Sequence, residues 1–244
     1  MKFTLLSILV FSNCLRSCTA IANTEIENQT NALSTTIQNI FVDKEVQIYD
    51  YNDQLKSVIV DSKEVFFSLH DGRYIFGGFV YDTERQIDIV EEQKSKQRLI
   101  ILNNQPKSLF VSYPSTIEAK HEVTVFTDID CPYCRKLHNS ISDLNNLGVS
   151  VNYVMLPRAG MTSASYAKTL AALCSSNPSE TVTLAMQNQN TPLNPCDTSK
   201  LNQHISLADT LKINATPTIL LPNGQLQLGA VSPQQLMKIL NEAK

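Results

Sequence analysis

The sequence has no long apolar run, no second group of metal-ligating residues and no excess of positive charge. None of its segments approaches the ~20 consecutive apolar residues of a membrane-spanning helix. The one C-x-x-C pair, Cys131 and Cys134, has no second C-x-x-C or H-x-H cluster that would complete a zinc site. The formal net charge of −3 argues against nucleic acid as the main partner. We therefore expect neither a transmembrane protein, nor a metal site, nor a nucleic-acid-binding protein.

The N-terminus has the pattern of a secretory signal peptide over residues 1–22. Lys2 supplies the positive charge, and residues 3–11 form a short apolar core. Small residues, Ala20 and Ala22, stand at the −3 and −1 positions of a cleavage site after Ala22. The segment contains two cations and no acid, so its removal would change the net charge from −3 to −5. The pattern predicts an exported protein.

Four cysteines remain after this segment: Cys131, Cys134, Cys174 and Cys196. An even number in an exported chain indicates two disulfides. Four cysteines allow three pairings, and only one of these keeps the C-x-x-C pair together. Two further cysteines, Cys14 and Cys18, lie inside the signal, where the preceding residues do not favour a lipid anchor.

The stretch around the C-x-x-C pair predicts a reactive thiol. A β-type run over 122–127 leads into a turn at 128–130 and then into a helical sequence, so Cys131 stands where the helix begins. Unpaired N–H groups and the helix dipole stabilise a thiolate there, so we expect a lowered pKa and a nucleophilic role for Cys131. Pro132 suits the first helical turn. Cys134, one turn later, is the expected resolving thiol.

Several neighbours of the two cysteines have more than one interpretation. Asp128 is either a group that contacts a redox partner or tunes proton transfer, or a cap of the active-site helix. His138 is on the same predicted helical face as the thiols, but a surface or packing role is favoured. Asp130 directly precedes Cys131, and a nearby carboxylate disfavours a thiolate. Tyr133 and Arg158 are candidate cleft residues.

The part of the chain before the C-x-x-C region predicts a small α+β domain and a helical connector. Residues 23–82 contain a helical pattern followed by four strand-like runs, two of them around a turn at Asp71 and Gly72. About 60 residues form a marginal core on their own, so we expect a dimer. Residues 83–106 contain a charged, helix-compatible run ending at Pro106, and they predict a linker helix, exposed or acting as a stiff connector.

Residues 107–244 alternate strand and helix, which is typical of an α/β domain. Ser232, Pro233 and Gln235 form a helix-start signal for the last helix. The other expected elements are strands at 109–113, 122–127 and 149–156, helices from 131, over 164–187 and over 201–211, and a hairpin of 218–221 with 226–230.

These elements together are similar to the thioredoxin fold, and the chain resembles the periplasmic disulfide isomerases of the DsbC/DsbG family. The resemblance implies a C-terminal thioredoxin-like domain with a helical insertion, joined by a linker helix to a small cystatin-like α+β dimerisation domain. Pro132 and Tyr133 are as in the DsbG branch, whereas the rest of the motif is more like DsbC. The segments that carry the resemblance are 126–129, 131–138, 153–160 and 216–217, with 70–73 and 78–82 in the N-terminal part.

The resemblance also implies roles for individual residues. Cys131 and Cys134 would be the redox-active pair, with no other cofactor. Thr216 and a cis Pro217 would lie against them, and the Thr216 backbone would pair with a substrate strand. The family's second, structural disulfide corresponds to Cys174 and Cys196.

The activity that the resemblance implies is the isomerisation or reduction of incorrect disulfides in exported proteins. The protein would be a periplasmic homodimer whose thiols are returned to the reduced state by a membrane reductase of the DsbD type. Two alternatives stay open at this stage. One is a net dithiol oxidase, and the other is a holdase-type chaperone of the DsbG type in which the thiols are secondary.

Overall fold

The structure is a computed structural model that describes residues 35–189 and 196–243. The expected signal peptide and the first part of the expected N-terminal helix lie outside the described residues. The chain divides into two compact units, one ending at Val90 and the other beginning at Glu91. No helix within the described ranges has the length and apolar character needed to cross a bilayer.

The first unit is built on a four-stranded antiparallel sheet with strand order β1-β2-β3-β4. Strand β2 is buried on both faces of the sheet, since five consecutive residues of it are buried. Neighbouring residues of a strand point to opposite faces. Val58 and Val60 pack with Ile37 on one face, while Ile59 packs with Phe67 on the other. The elements are helix α1 (35–40), β1 (Val46–Asp50), β2 (Leu55–Val60), β3 (Glu64–Leu69), β4 (Ile75–Gly77), β5 (Tyr81–Asp82) and β6 (Ile87–Asp88).

The segment expected to be helical from residue 83 begins instead with a β-turn. Strands β5 and β6 pair with each other, and the Asp82 carboxylate accepts hydrogen bonds from the backbone N–H groups of Glu84 and Arg85. Short acidic side chains favour turns in this way. Helix α2 spans Ile89–Asn103, and the Asp88 carboxylate accepts a hydrogen bond from Val90 N at 3.0 Å at its start.

Helix α2 from Glu91 onward belongs to the second unit and is not simply an exposed connector. Ser95 is 5% exposed, and Arg98 donates a hydrogen bond to the carbonyl of Gly224 at 3.1 Å. Gly224 has φ +85°, and a Cβ on it would lie 2.1 Å from the Ser95 carbonyl oxygen. The hairpin at Gly224 therefore packs directly against the backbone of α2.

The second unit has a five-stranded sheet with strand order β11-β10-β8-β9-β7. Strands β8 and β9 are parallel, and the other neighbours are antiparallel. The crossover between β8 and β9 carries the active-site helix. The strands are β7 (Val111–Tyr113), β8 (His121–Thr127), β9 (Val149–Met155), β10 (Thr218–Leu220) and β11 (Leu226–Leu228). The helices are α3 (Pro132–His138), α4 (Ile141–Asn146), α5 (Ala164–Leu173), α6 (Pro178–Met186), α7 (Ser199–Thr210) and α8 (Pro233–Glu242).

The first strand and the helix expected over 164–187 differ from the prediction. A short 3₁₀ helix, Lys107–Leu109, precedes β7, so the first strand starts two residues later than expected. The helix expected over 164–187 is two helices, because Pro178 begins α6 after the break that follows α5. The predicted last helix is confirmed, with the Ser232 and Gln235 side chains forming a capping box.

Candidate active site

The two cysteines of the C-x-x-C pair lie where the central strand β8 passes into helix α3. Cys131 is the N-cap residue of α3, and Pro132 occupies the first helical position. The backbone N–H of Cys131 donates to the Asp128 carbonyl at 3.1 Å, and the Cys131 carbonyl accepts from Arg135 N at 3.1 Å. Cys131 is 4% exposed and Cys134 1%. The turn after β8 thus presents Cys131 at the start of the helix.

The environment shifts the pKa values of the two thiols in opposite directions. Burial by itself raises the pKa of Cys131, but hydrogen bonds from the backbone and thiol of Cys134 oppose it. The nearby Thr216 side chain and a hydrogen bond from the Tyr133 backbone bring the pKa of Cys131 below its ordinary value. Burial raises the pKa of Cys134 to about 11, although Thr127 and Asp128 lower it in part. Near neutral pH, Cys131 is therefore the thiol that ionises more readily.

The loop before β10 closes the site from the other side. The Thr216–Pro217 peptide bond is cis, as the resemblance implies. The Cys131 thiol donates to the Thr216 carbonyl at 3.5 Å. The Thr216 hydroxyl oxygen is buried and makes no full hydrogen bond within the described residues, yet it is near enough to both sulfurs to favour their ionised forms. It is a donor available to a developing thiolate.

Asp128 joins the active-site turn to the segment after β9. Asp128 is buried, with 5% of the residue exposed. Its carboxylate accepts hydrogen bonds from Asp130 N at 3.0 Å, from Arg158 N at 3.0 Å and from the Ser165 hydroxyl. These donors lie outside helix α3, so the carboxylate bonds described here do not cap the active-site helix. Asp128 instead holds together two loops that border Cys131.

Asp130 forms ion pairs with two cations. The sequence identified it only as a carboxylate next to the expected nucleophile. Arg135 donates to its Oδ1 atom at 2.8 Å, and Lys168 Nζ lies 2.8 Å from Oδ1 and 3.1 Å from Oδ2. Lys168 is on α5, and no sequence signal linked it to the C-x-x-C turn. Two cations thus face the carboxylate that precedes Cys131.

His138 has a packing role in this structure. It is 6% exposed, its Nδ1 atom lies 3.0 Å from the Tyr153 hydroxyl, and its ring contacts Tyr113 and Tyr153. Burial lowers the pKa of His138 to about 4, so it is neutral at pH 7. His138 also borders a pocket of about 380 Å³, which Tyr113, Asn145 and Thr183 line as well.

The comparisons with known proteins agree on one family. Residues 115–244 match the family profile described as a thioredoxin-like domain. The thiol:disulfide interchange protein DsbC of Escherichia coli (strain K12) is 32% identical over 190 residues, 77% of each chain. DsbC of Haemophilus influenzae is 28% identical over 227 residues, 92% of this chain and 95% of that protein.

The chain belongs to the DsbC family of thiol:disulfide interchange proteins. A crystal structure of a disulfide interchange protein from Neisseria gonorrhoeae is also similar, with 26% identity and a TM-score of 0.51. The matched region covers 57% of this chain and 98% of the Neisseria gonorrhoeae chain. The thioredoxin fold and the thiol–disulfide chemistry expected from the sequence are thereby confirmed.

This DsbC-family chain has a second pair of cysteines away from the C-x-x-C turn. Cys174 and Cys196 form a disulfide with a Cα–Cα distance of 6.0 Å, whereas Cys131 and Cys134 are free thiols. Of the three pairings, only the one that keeps the C-x-x-C cysteines together is compatible with this disulfide. Cys174 is the C-cap residue of α5, so the disulfide constrains the end of that helix.

Large side chains are exposed on the segments that border the thiols. Tyr133, between the two cysteines in sequence, is 66% exposed. The side chain of Arg158 is 45% exposed, and its Nε atom lies 4.0 Å from Asp128 Oδ2. Met161, three residues later, is 69% exposed and was not identified from the sequence. These side chains are available to contact a substrate chain.

Proposed function

We propose that this protein is a periplasmic thiol:disulfide isomerase that corrects wrong disulfides in exported proteins. The observation that supports this most is the opposite shift of the two thiol pKa values at the start of α3. One thiol is prepared to attack, and the other is kept protonated. The secretory pattern of residues 1–22 supports export.

The first step is attack by the Cys131 thiolate on one sulfur of the substrate disulfide. A bond forms between Cys131 Sγ and that sulfur, the substrate S–S bond breaks, and the other substrate sulfur leaves as a thiolate. In isomerisation, a substrate thiolate then attacks the mixed disulfide and releases Cys131 as a thiolate. The substrate has exchanged one disulfide for another with no net oxidation or reduction.

In the reductive branch, Cys134 loses its proton and attacks Cys131 Sγ, so that the Cys131–Cys134 disulfide forms and the substrate leaves as a dithiol. A pKa of about 11 leaves little Cys134 thiolate at neutral pH. Slow resolution gives the substrate time to rearrange, which favours isomerisation. After reduction, a membrane reductase of the DsbD type would return the pair to two thiols.

The activity of the two thiols can be tested with single variants in refolding of a substrate with scrambled disulfides. We expect Cys131→Ser to abolish exchange, because no attacking thiolate remains. Cys134→Ser should retain attack and accumulate mixed disulfides on Cys131. Faster labelling of Cys134 than of Cys131 at low pH would contradict the roles. Catalysis only of disulfide formation, by the oxidised protein, would favour a dithiol oxidase instead.

We further propose that the first unit makes the protein a dimer, so that two catalytic units hold one substrate. The unit is small, and it exposes large aromatic side chains, with Phe79 at 70% and Tyr74 at 52%. Burying such a surface against a second copy would stabilise it. Two linked sites retain a substrate through several exchanges better than one.

Truncation of the first unit tests this dimer. The truncated chain should keep α2, because Arg98 on this helix donates a hydrogen bond to the Gly224 carbonyl of the catalytic unit. A chain of residues 91–244 keeps α2 on the catalytic unit, whereas one of residues 107–244 removes it. We expect 91–244 to be a folded monomer that retains dithiol exchange and loses isomerisation, and 107–244 to be less stable. A monomeric full-length protein by light scattering, or full isomerase activity of 91–244, would exclude the dimer mechanism.

A further inference from the structure

A carboxylate directly before an attacking cysteine is unfavourable unless its charge is neutralised. Asp130 precedes Cys131, and a negative charge at this distance destabilises a thiolate. In the structure the Asp130 carboxylate is half-buried and bound by two cations, Arg135 and Lys168. The three side chains together carry one net positive charge at the residue that precedes Cys131.

The three side chains come from three different elements. Asp130 lies in the turn after β8, Arg135 on α3 and Lys168 on α5. Arg135 also donates from Nε to the Ile129 carbonyl at 2.8 Å, so it supports the backbone of the turn as well. In the part of the chain that the structure describes, the polar contacts of Lys168 Nζ are with Asp130. Substitution of Lys168 therefore tests the effect of the positive charge on Cys131 with less disturbance of the turn than substitution of Arg135.

The other charged groups around the turn do not replace Lys168. Asp128 is held by backbone and hydroxyl donors, and the Arg158 guanidinium lies 4.0 Å from it. Cys134 stays protonated at neutral pH, because burial raises its pKa to about 11. Without Lys168, the Asp130 carboxylate would keep only Arg135, and the positive charge beside Cys131 would be lost.

We propose that Lys168 is a positioning residue for disulfide exchange, which holds the Asp130 carboxylate and supplies positive charge that keeps Cys131 reactive. This role rests on the proposed function of Cys131 as the attacking thiol. It connects the helical insertion to the chemistry of the C-x-x-C turn through one ion pair. The polar partner of Lys168 in the described ranges is Asp130, so Lys168 acts on Cys131 through that carboxylate.

The test measures the rate of alkylation of Cys131 by iodoacetamide between pH 4 and 9. The reduced full-length protein is used, and mass spectrometry follows the Cys131 peptide. We expect Lys168→Met to slow alkylation roughly threefold below the pKa of Cys131 and to leave the high-pH plateau unchanged, which is the order of magnitude for one unit charge that acts through water. Lys168→Arg should retain the wild-type profile. Lys238→Met, which removes the same charge from α8, is the matched control.

A second substitution separates charge from structure. We expect Asp130→Asn to speed alkylation at low pH and the double variant to return near the wild-type profile, because it removes one charge of each sign. The electrostatic role would be overturned if the pH profiles of wild type and Lys168→Met coincided. It would also be overturned if Lys168→Met, Asp130→Asn and the double variant all slowed alkylation without displacing the profile along the pH axis. Faster alkylation of Cys134 than of Cys131 would instead overturn the proposed function.

Discussion

The thiol of Cys131 donates to the carbonyl oxygen of Thr216 at 3.5 Å, across 85 residues of sequence. The fold brings the start of α3 and the loop before β10 together because β8 and β10 are neighbouring strands, with Phe126 opposite Thr218. The same contact places the unpartnered Thr216 hydroxyl beside both sulfurs. Thiol reactivity therefore depends on a residue far from the C-x-x-C motif.

The Thr216 hydroxyl gives the first prediction. We expect Thr216→Val to raise the pKa of Cys131, because the hydroxyl that can donate to the thiolate is lost while the backbone carbonyl remains. Thr216→Ser keeps the hydroxyl and is the control. Thiolate absorbance against pH measures the effect, and equal titration curves for the valine and serine variants would show that the hydroxyl has no influence.

Alanine substitutions at two glycines with the same φ can distinguish the cost of backbone strain from the cost of close packing. Gly224 and Gly160 both have φ +85°, but only Gly224 has a neighbouring backbone within 4 Å, that of Ser95. Gly160→Ala should cost about 1 kcal/mol of unfolding free energy through φ alone. Gly224→Ala should cost clearly more, because the hairpin or α2 has to move. Urea denaturation compares the two, and equal losses would mean that α2 does not pack on the hairpin.

The disulfide between Cys174 and Cys196 closes a loop of 22 residues. In the chain-entropy model this contributes about 3 kcal/mol to the free energy of unfolding. The double variant Cys174→Ala with Cys196→Ala should be less stable by about that amount and should keep the reactive pair. In the native protein, alkylation after mild reduction should label Cys131 and Cys134, and labelling of all four would contradict a structural disulfide.

Two buried histidines predict loss of stability in mild acid. Burial lowers the pKa of His138 and of His204 to about 4, whereas an unfolded chain has the ordinary value near 6.5. As pH falls below 6.5 the unfolded chain binds protons that the folded protein does not, so the free energy of unfolding decreases until about pH 4. The full effect is roughly 3 kcal/mol for each histidine.

His204 provides the cleaner test of this pH dependence. Its Nδ1 atom accepts from Met155 N at 2.7 Å, and Nε2 lies 2.7 Å from the Leu109 carbonyl. We expect His204→Gln to reduce the stability difference between pH 7 and pH 5 measured by denaturation. His121→Gln, at a less buried position, is the control variant. A wild-type stability that is equal at the two pH values would contradict the prediction.

Local signals were enough for the elements with strong start and stop residues. The turn at Asp71 and Gly72, the capping box at Ser232 and the helix start at Cys131 depend on neighbouring residues, and the structure contains all three. The turn over 83–86 was missed, because its charged composition is equally compatible with a helix. Asp82 selects the turn by binding the N–H groups that follow it.

The sequence by itself determined the chemistry: a C-x-x-C pair at a strand-to-helix junction, a Thr–Pro dipeptide and an even number of cysteines after a secretory pattern. These features are local in the chain, so residue type and spacing are sufficient to identify them. Only the tertiary structure decided that Lys168 faces Asp130 and that α2 packs on Gly224. Such contacts join residues tens of positions apart, and they form because sheet order and helix packing bring those elements together.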